Sequence, residues 1–392
     1  MTISRKDLHL PGPDRVKLFL YKNSASFASY GQGWSSFPID VDNITAFTRG
    51  SEIHIDLGKT RGQPWGQLIE ILAHEYGHAI QDSLRNRSPL AWFNEGFAGW
   101  IAAKVLDSSG WQPYDVALER ARIELVNDYD NLKGLRDLDW QWKALRENPK
   151  GHLETYVLGF FATARLLDRQ SVPAATQYMK TRDFQKSFNM TVDAFADDFA
   201  AYLSSNRALQ KTDVSPTIHK PDWKLGDQWT YAVKYPGDEP MQTHTIIREE
   251  KFEDAPSYVI KAGNRELYYS KETLERVAAT KDGHLSSKRF TPSRQFSWPL
   301  TFQKQWQNKY SWRDFTKKSD YEVNQSLLVS EIGEVTVPAG KFLAARILAF
   351  HSRTGRLLSE YWYSPVTRSV IKLRDYSDVA FREEELTSFT IH

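Results

Sequence analysis

The stretch ILAHEYGHAIQDSLRNRSPLAWFNEGFAGWIA, residues 71–102, sets two histidines four apart, a glutamate directly after the first, and a second glutamate in the NEGFA that follows. On a helix, positions four apart lie one above the other on the same face. His74 and His78 can therefore aim their imidazoles at one point, as a tetrahedral Zn²⁺ requires. Glu75 turns off that face but stays within reach of a water on the metal, whose proton it can take and later pass to a leaving amine. That is the chemistry behind H-E-x-x-H on a helix. A catalytic zinc takes three protein ligands and leaves a fourth place open. Glu95 fills the third place from the next helix. The structural alternative is that histidines on an apolar helix, taken singly, are core residues bonded to backbone. A complete set that keeps the base favours the metal. The expectation is one Zn²⁺ per chain, on His74, His78 and Glu95.

These side chains need two neighbouring helices. A helical period begins near Gln63, with Pro64 in its first turn, and runs through WGQLIEILAHEYGHAIQDSLR. SPLAWFNEGFAGWIAAKVLD reads as the second helix, with Ser88 as cap and Pro89 just inside. An antiparallel return after a short turn would bring Glu95 over the first helix, and the small Gly96, Ala98 and Gly99 would let the two approach closely. Before this pair the chain reads as short strands. VKLFLY sets Leu18 and Leu20 against Lys17, Phe19 and Tyr21, and NITAFTRGSEIHIDL reads as two strands joined at Arg49–Ser51. Further helices follow in YDVALERARIELV, HLETYVLGFFATARLLD, VPAATQYMK and TVDAFADDFAAYLSS. The polar, proline-bearing stretch at 208–221 reads as a linker. Beyond it, Val-, Ile-, Tyr- and Trp-rich runs separated by Gly, Pro and Asp turns read as strands.

HEYGH followed by WFNEGFAGW resembles the gluzincin metallopeptidases, in particular their peptidase MA-like branch, across residues 15–205. The resemblance implies His74, His78 and Glu95 as zinc ligands and Glu75 as general base and acid. In the aminopeptidase branch of that group a catalytic tyrosine opens a helix in a Y-x-x-G-F context. TYVLGFF puts Tyr156 at the matching position, with His152 one turn earlier as the other candidate for the role. A phenol aimed at the attacked carbonyl would stabilise the charge that builds on its oxygen. Otherwise Tyr156 is a helix residue with its hydroxyl at the surface. The G-x-M-E-N segment of that branch has no counterpart in AFTRGSEIHIDLGKT, so an endopeptidase is expected rather than an amino-terminal exopeptidase. SEIHIDL is then either an edge strand for an extended peptide or an ordinary sheet strand.

The implied fold class is α+β. A zincin-like metallopeptidase domain, a small N-terminal sheet plus a helical bundle, occupies 1–207. A mostly antiparallel β domain fills 222–392. DWKLGDQWTY, VTVPAGKFLAARI and EYWYSPVTRSVIK resemble segments of curved β domains in exported bacterial proteins. Trp223, Trp229, Trp298, Trp306, Trp312 and Trp362 make this domain aromatic, either as a binding surface or, the favoured reading, as core. His219, His244, His284 and His351 lack ligand spacing. The chain holds no cysteine, which removes disulfides and thiolate ligands and leaves His and carboxylates as the strong donors. A net charge of +2 without a basic block gives no reason to expect nucleic acid. No apolar run approaches a membrane span, and MTISRKDLHLPGPDR has no signal-peptide core. The expected partner is a peptide or protein substrate. The β-domain resemblance points to an exported protein, periplasmic or secreted, with a cytoplasmic one as the alternative. The expected activity is zinc-dependent endopeptidase. Two other readings stay open: a non-catalytic binding protein that works through its β domain, and a hydrolase of a non-peptide bond at the same zinc.

Overall fold

A computed structural model describes residues 10–32, 45–60, 65–84, 90–128, 130, 134–136, 156–208, 216–235, 240–353, 355–376 and 381–392. The chain is α+β and divides into two compact units, Met1–Leu209 with Arg353–Gly355, and Gln210–Ser352 with Arg356–His392. The expected helix starters Pro64, Ser88 and Pro89, and linker residues 209–215, lie outside the described residues.

The first unit opens with three strands, β1 (Lys17–Tyr21), β2 (Ala46–Arg49) and β3 (Glu52–Asp56), in the order β1-β3-β2. Strand β3 runs parallel to β1 and antiparallel to β2. Gly50, at φ +57°, makes the β2–β3 turn, a left-handed conformation that a side chain would strain. SEIHIDL is therefore the central strand, and both its hydrogen-bonding edges are taken. It is not an edge for a substrate. The alternation of β1 also runs opposite to the simple hydrophobic reading. Leu18 and Leu20 are 47% and 55% exposed, while Phe19 and Tyr21 turn inward against the buried His54 ring. Aromatic rings packing on an imidazole outweigh the pull of two leucines on a short edge strand.

Nine helices among the described residues complete the unit: α1 (Ser24–Gln32), α2 (Leu57–Thr60), α3 (Trp65–Ser83), α4 (Ala91–Ser108), α5 (Tyr114–Asn127), α6 (Leu158–Arg169), α7 (Val172–Thr181), α8 (Phe184–Phe188) and α9 (Val192–Ala208). α4 is the hub. Trp92, Phe93, Phe97, Trp100 and Ile101 are all buried, so the helix is apolar around most of its circumference and packs on both sides. The small residues do separate jobs. A Cβ on Gly77 of α3 would sit 2.7 Å from the Cα of Ala98, which sets the α3–α4 contact. A Cβ on Gly96 would run into the Gly159 carbonyl and the Thr163 hydroxyl, so Gly96 serves the α4–α6 contact instead. At α7, Ser171 accepts the Ala174 N–H, a capped start with Pro173 in the first turn.

The second unit is a closed antiparallel barrel of twelve strands: β4 (Gln228–Lys234), β5 (Met241–Phe252), β6 (Ala255–Ala262), β7 (Arg265–Ser270), β8 (Arg276–Lys281), β9 (His284–Arg289), β10 (Gln305–Asp314), β11 (Ser319–Val337), β12 (Gly340–His351), β13 (Leu357–Ser364), β14 (Ser369–Asp375) and β15 (Arg382–Thr390). β15 pairs with β4 and β9 with β10, so no strand edge is left open. In β4, buried Trp229, Tyr231 and Val233 alternate with more exposed Gln228, Thr230 and Ala232. Their partners carry the inward face around through Leu386, His244 and Ile246, Ile260, Leu267, Ala279, Leu327, Ile347 and Tyr361. Trp229 and Trp362 are buried, and Trp223, Trp298 and Trp306 pack against the core. Trp312 stacks on Tyr321 with ring centroids 4.6 Å apart. No helix among the described residues is long and apolar enough to cross a membrane, a statement that leaves strands aside.

Candidate metal centre

His74 and His78 occupy successive turns of α3, with ring centroids 4.9 Å apart and ring planes at 83°. Glu95, on the first turn and a half of α4, reaches back between them. Its Oε2 lies 3.1 Å from His74 Nε2 and 3.5 Å from His78 Nε2. One donor atom from each of the three residues falls within 4.8 Å of the others, the single such cluster among the described residues. The donor set of two imidazoles and a carboxylate, on two rigid helices, fits Zn²⁺.

Electrostatics bind the three together. Burial works against the charged form of His74, but its bond to Glu95 and the nearby carboxylates of Glu75 and Glu70 outweigh it and raise its pKa. Burial likewise opposes ionisation of Glu95. The charge of His78 and hydrogen bonds from both imidazoles overcome it and hold the carboxyl well below its usual range.

Two residues that sequence reasoning missed orient this set. Gln81, fully buried, lies with Oε1 2.9 Å from His78 Nδ1, while its Nε2 donates to the Asn94 carbonyl at 3.0 Å. Because the amide nitrogen is committed as donor, Oε1 is an acceptor and His78 Nδ1 must carry the proton. Nε2 is then the nitrogen that faces Glu95: it donates to the carboxylate while the ring is charged, and it is the atom left to bind a metal once the ring is neutral. The only sequence cue was a glutamine three residues after a histidine on the buried face of the helix. The second is Thr48 on β2. Its hydroxyl lies 2.7 Å from Glu75 Oε2 and 2.9 Å from the Glu75 carbonyl oxygen, and its one proton serves one acceptor at a time. Thr48 and Glu75 are both buried. Nothing in the local sequence signals that contact, which depends on the sheet packing against α3.

Tyr156 stands in a π-helical turn just ahead of α6, with its ring centroid 5.9 Å from that of His74. The fold thus brings Tyr156 to the same cluster. His152 lies outside the described residues.

No family model matches the chain, and no curated protein does. Solved structures that match include a proposed lipoprotein from Parabacteroides distasonis (11% identity, 45% of this chain and 100% of that one, TM-score 0.24). They also include an exported protein of YmcC-like fold from Bacteroides fragilis (10%, 45% and 100%, TM-score 0.26). A third is the hypothetical lipoprotein YmcC from Escherichia coli (10%, 48% and 96%, TM-score 0.29). At these scores the similarities carry no argument about what this chain does. The family expectation is corrected all the same. No family model places the chain among the gluzincin metallopeptidases and none of these three structures is described as a peptidase, so the chain is not assigned to that group. The zincin-like label for the helical unit goes with that assignment, and the α+β organisation stands.

Proposed function

We propose that the helical unit is a zinc-dependent hydrolase that cleaves peptide bonds, acting within chains rather than at their ends. The supporting observation is the convergence of His74, His78 and Glu95 on one point with the buried carboxylate of Glu75 on the adjoining turn. When bound, Zn²⁺ would acidify a water and polarise the substrate carbonyl. Glu75 would take a proton from the attacking water and deliver it to the leaving nitrogen, with the Thr48 hydroxyl fixing its carboxylate. Gln81 holds the His78 tautomer and ring plane. Tyr156, packed beside His74, donates to the carbonyl oxygen as charge develops there. An exported location, periplasmic or secreted, belongs to the same proposal and is decided by cell fractionation.

Metal analysis together with digestion of casein and a peptide library, on wild type and Glu75→Gln, tests the reading. The wild type is expected to carry stoichiometric zinc and to cleave, and Glu75→Gln to keep the zinc and lose cleavage. Equal inertness of both zinc-loaded proteins over a broad panel would overturn it.

A further inference from the structure

The interior of the barrel is not a plain apolar core. Arg265 follows the Gly263–Asn264 turn and pairs with Ala262, which puts it on the inward face at one rim, where it is exposed. Arg276 pairs with Tyr269 and Arg289 with Trp312, which sets both further in along the same face, half-buried. Arg382 enters opposite Asp375. Four cations from four separate strands thus face one enclosed space.

The carboxylates that could neutralise Arg265 and Arg276 are committed to other groups. Arg382 is matched by Glu384 at 2.6 Å. Asp314 acts on Arg265 at a distance, while its Oδ1 accepts from the Thr316 and Lys317 amides of its own turn. Glu275 accepts from Ser293 at 2.6 Å and from the Phe296 amide at 2.9 Å, which leaves Arg289 a contact of 3.5 Å. Arg289 also lies 4.5 Å from the centre of the Tyr310 ring. Among the described residues, the side chains of Arg265 and Arg276 make neither hydrogen bond nor ion pair. Partial desolvation of its guanidinium at the barrel mouth lowers the pKa of Arg265, and the charges of Arg276 and Arg382 lower it further. Like charges facing each other in a confined space destabilise the empty protein, and an arriving anion relieves that cost.

We propose that the barrel lumen is a binding site for an oxyanionic ligand, a phosphate or a carboxylate on an organic body. Arg265 stands at the mouth, Arg276 and Arg289 grip the oxyanion deeper in, and the Tyr269, Tyr310 and Tyr361 rings take the body. The planar fork of arginine matches either oxyanion with two parallel N–H···O bonds. Tyrosines supply apolar walls with polar tips, the usual composition of a small-ligand pocket. This site lies within the second unit and is independent of the proposed zinc chemistry.

The test is thermal denaturation of the full chain with inorganic pyrophosphate or citrate, against sodium chloride at equal ionic strength. Pyrophosphate and citrate separate the phosphate from the carboxylate source. At saturation one of them is expected to raise the barrel Tm by about 5 °C, with no rise in chloride. Arg276→Gln is expected to abolish that rise while its anion-free Tm stays at or above wild type, because an unpaired charge has gone. Arg276→Lys is expected to keep part of the rise. Arg265→Gln, at the exposed mouth, is expected to weaken binding about tenfold with the fold intact, and it serves if the deeper variant misfolds. No rise with either anion, or an equal rise in the variants, would overturn the proposal. So would a drop in the anion-free Tm of Arg276→Gln, which would make the residue structural.

Discussion

The histidine–carboxylate cluster of the helical unit and the arginine-lined lumen of the barrel are built on opposite electrostatic plans. In the first, one carboxylate lies between two imidazoles that hold it charged, and its bond to His74 favours the charged form of that ring, so the set is satisfied before any ligand arrives. In the second, guanidinium groups share one space, and Glu384 is spent on Arg382. Glu275 and Asp314 accept chiefly from a serine hydroxyl and backbone amides, which leaves Arg265 and Arg276 without a side-chain partner among the described residues. A ligand of the first site has to displace an existing contact. A ligand of the second supplies what the protein lacks. Removing a member should therefore cost stability in the first case and cost little, or gain, in the second.

The largest expected effect separates catalysis from binding at the satisfied site. Glu75→Gln removes the base and leaves the three donors, so cleavage should fall by about 10²–10⁴-fold at unchanged zinc content. The readout is turnover alongside metal analysis. Gly96→Ala comes next. Its methyl would collide with the Gly159 backbone, which cannot swing aside as a side chain would, so the helical unit should lose about 3 kcal/mol by denaturant unfolding. In the barrel, a Cβ on Gly283 meets nothing within 4 Å, and Gly283→Ala should cost only the strain of a positive φ, about 1 kcal/mol. A Gly96→Ala protein as stable as wild type would mean that the α4–α6 approach does not hold Glu95 in place.

The two sites differed as much in how visible they were beforehand. His74, Glu75 and His78 share one helical repeat and Glu95 comes on the next helix, so periodicity and spacing bring them together without knowledge of the fold. Tyr156 was reached only through a family resemblance that the comparisons do not uphold, yet its ring does pack beside His74. Thr48 and Gln81 were hidden for different reasons: one reaches the site across a sheet–helix contact, the other acts through a hydrogen bond to His78 that the ligand spacing does not require. The lumen arginines could not have been read at all. Residues 265, 276, 289 and 382 belong to four strands, and only barrel closure makes them neighbours. The edge-strand reading of SEIHIDL failed for a related reason, because the parallel pairing of β1 with β3 is not written in either strand's local pattern.

Gln81→Leu tests whether the satisfied site depends on the groups behind its ligands. The change keeps the bulk but removes the acceptor that fixes the His78 proton on Nδ1, and it strands the Asn94 carbonyl. Zinc affinity should fall about 10–100-fold in competition with a chelator. An unchanged affinity would mean that the helix alone orients His78.

The smallest effect belongs to the lumen and concerns pH. His244 faces inward beside Tyr231, and burial, then the charges of Arg382 and Arg265, push its pKa down to about 4. In the unfolded chain a histidine titrates near 6.5, so between roughly pH 6.5 and 4 the unfolded form binds a proton that the folded form refuses. Barrel stability should therefore fall as the pH drops through that window and level off below it. The total is about 1–2 kcal/mol once the partial solvent access of the ring is allowed for. His244→Gln should flatten this slope, as seen in denaturation of the barrel between pH 7 and 4. The same experiment sharpens the contrast between the two sites. An oxyanion held by Arg265 and Arg276 would offset the cations that suppress His244 protonation, so saturating pyrophosphate or citrate should raise the lower edge of the window and shrink the total loss. A slope that ignores both the anion and the His244 substitution would mean that the lumen charges are already neutralised, and the two electrostatic plans would then be one.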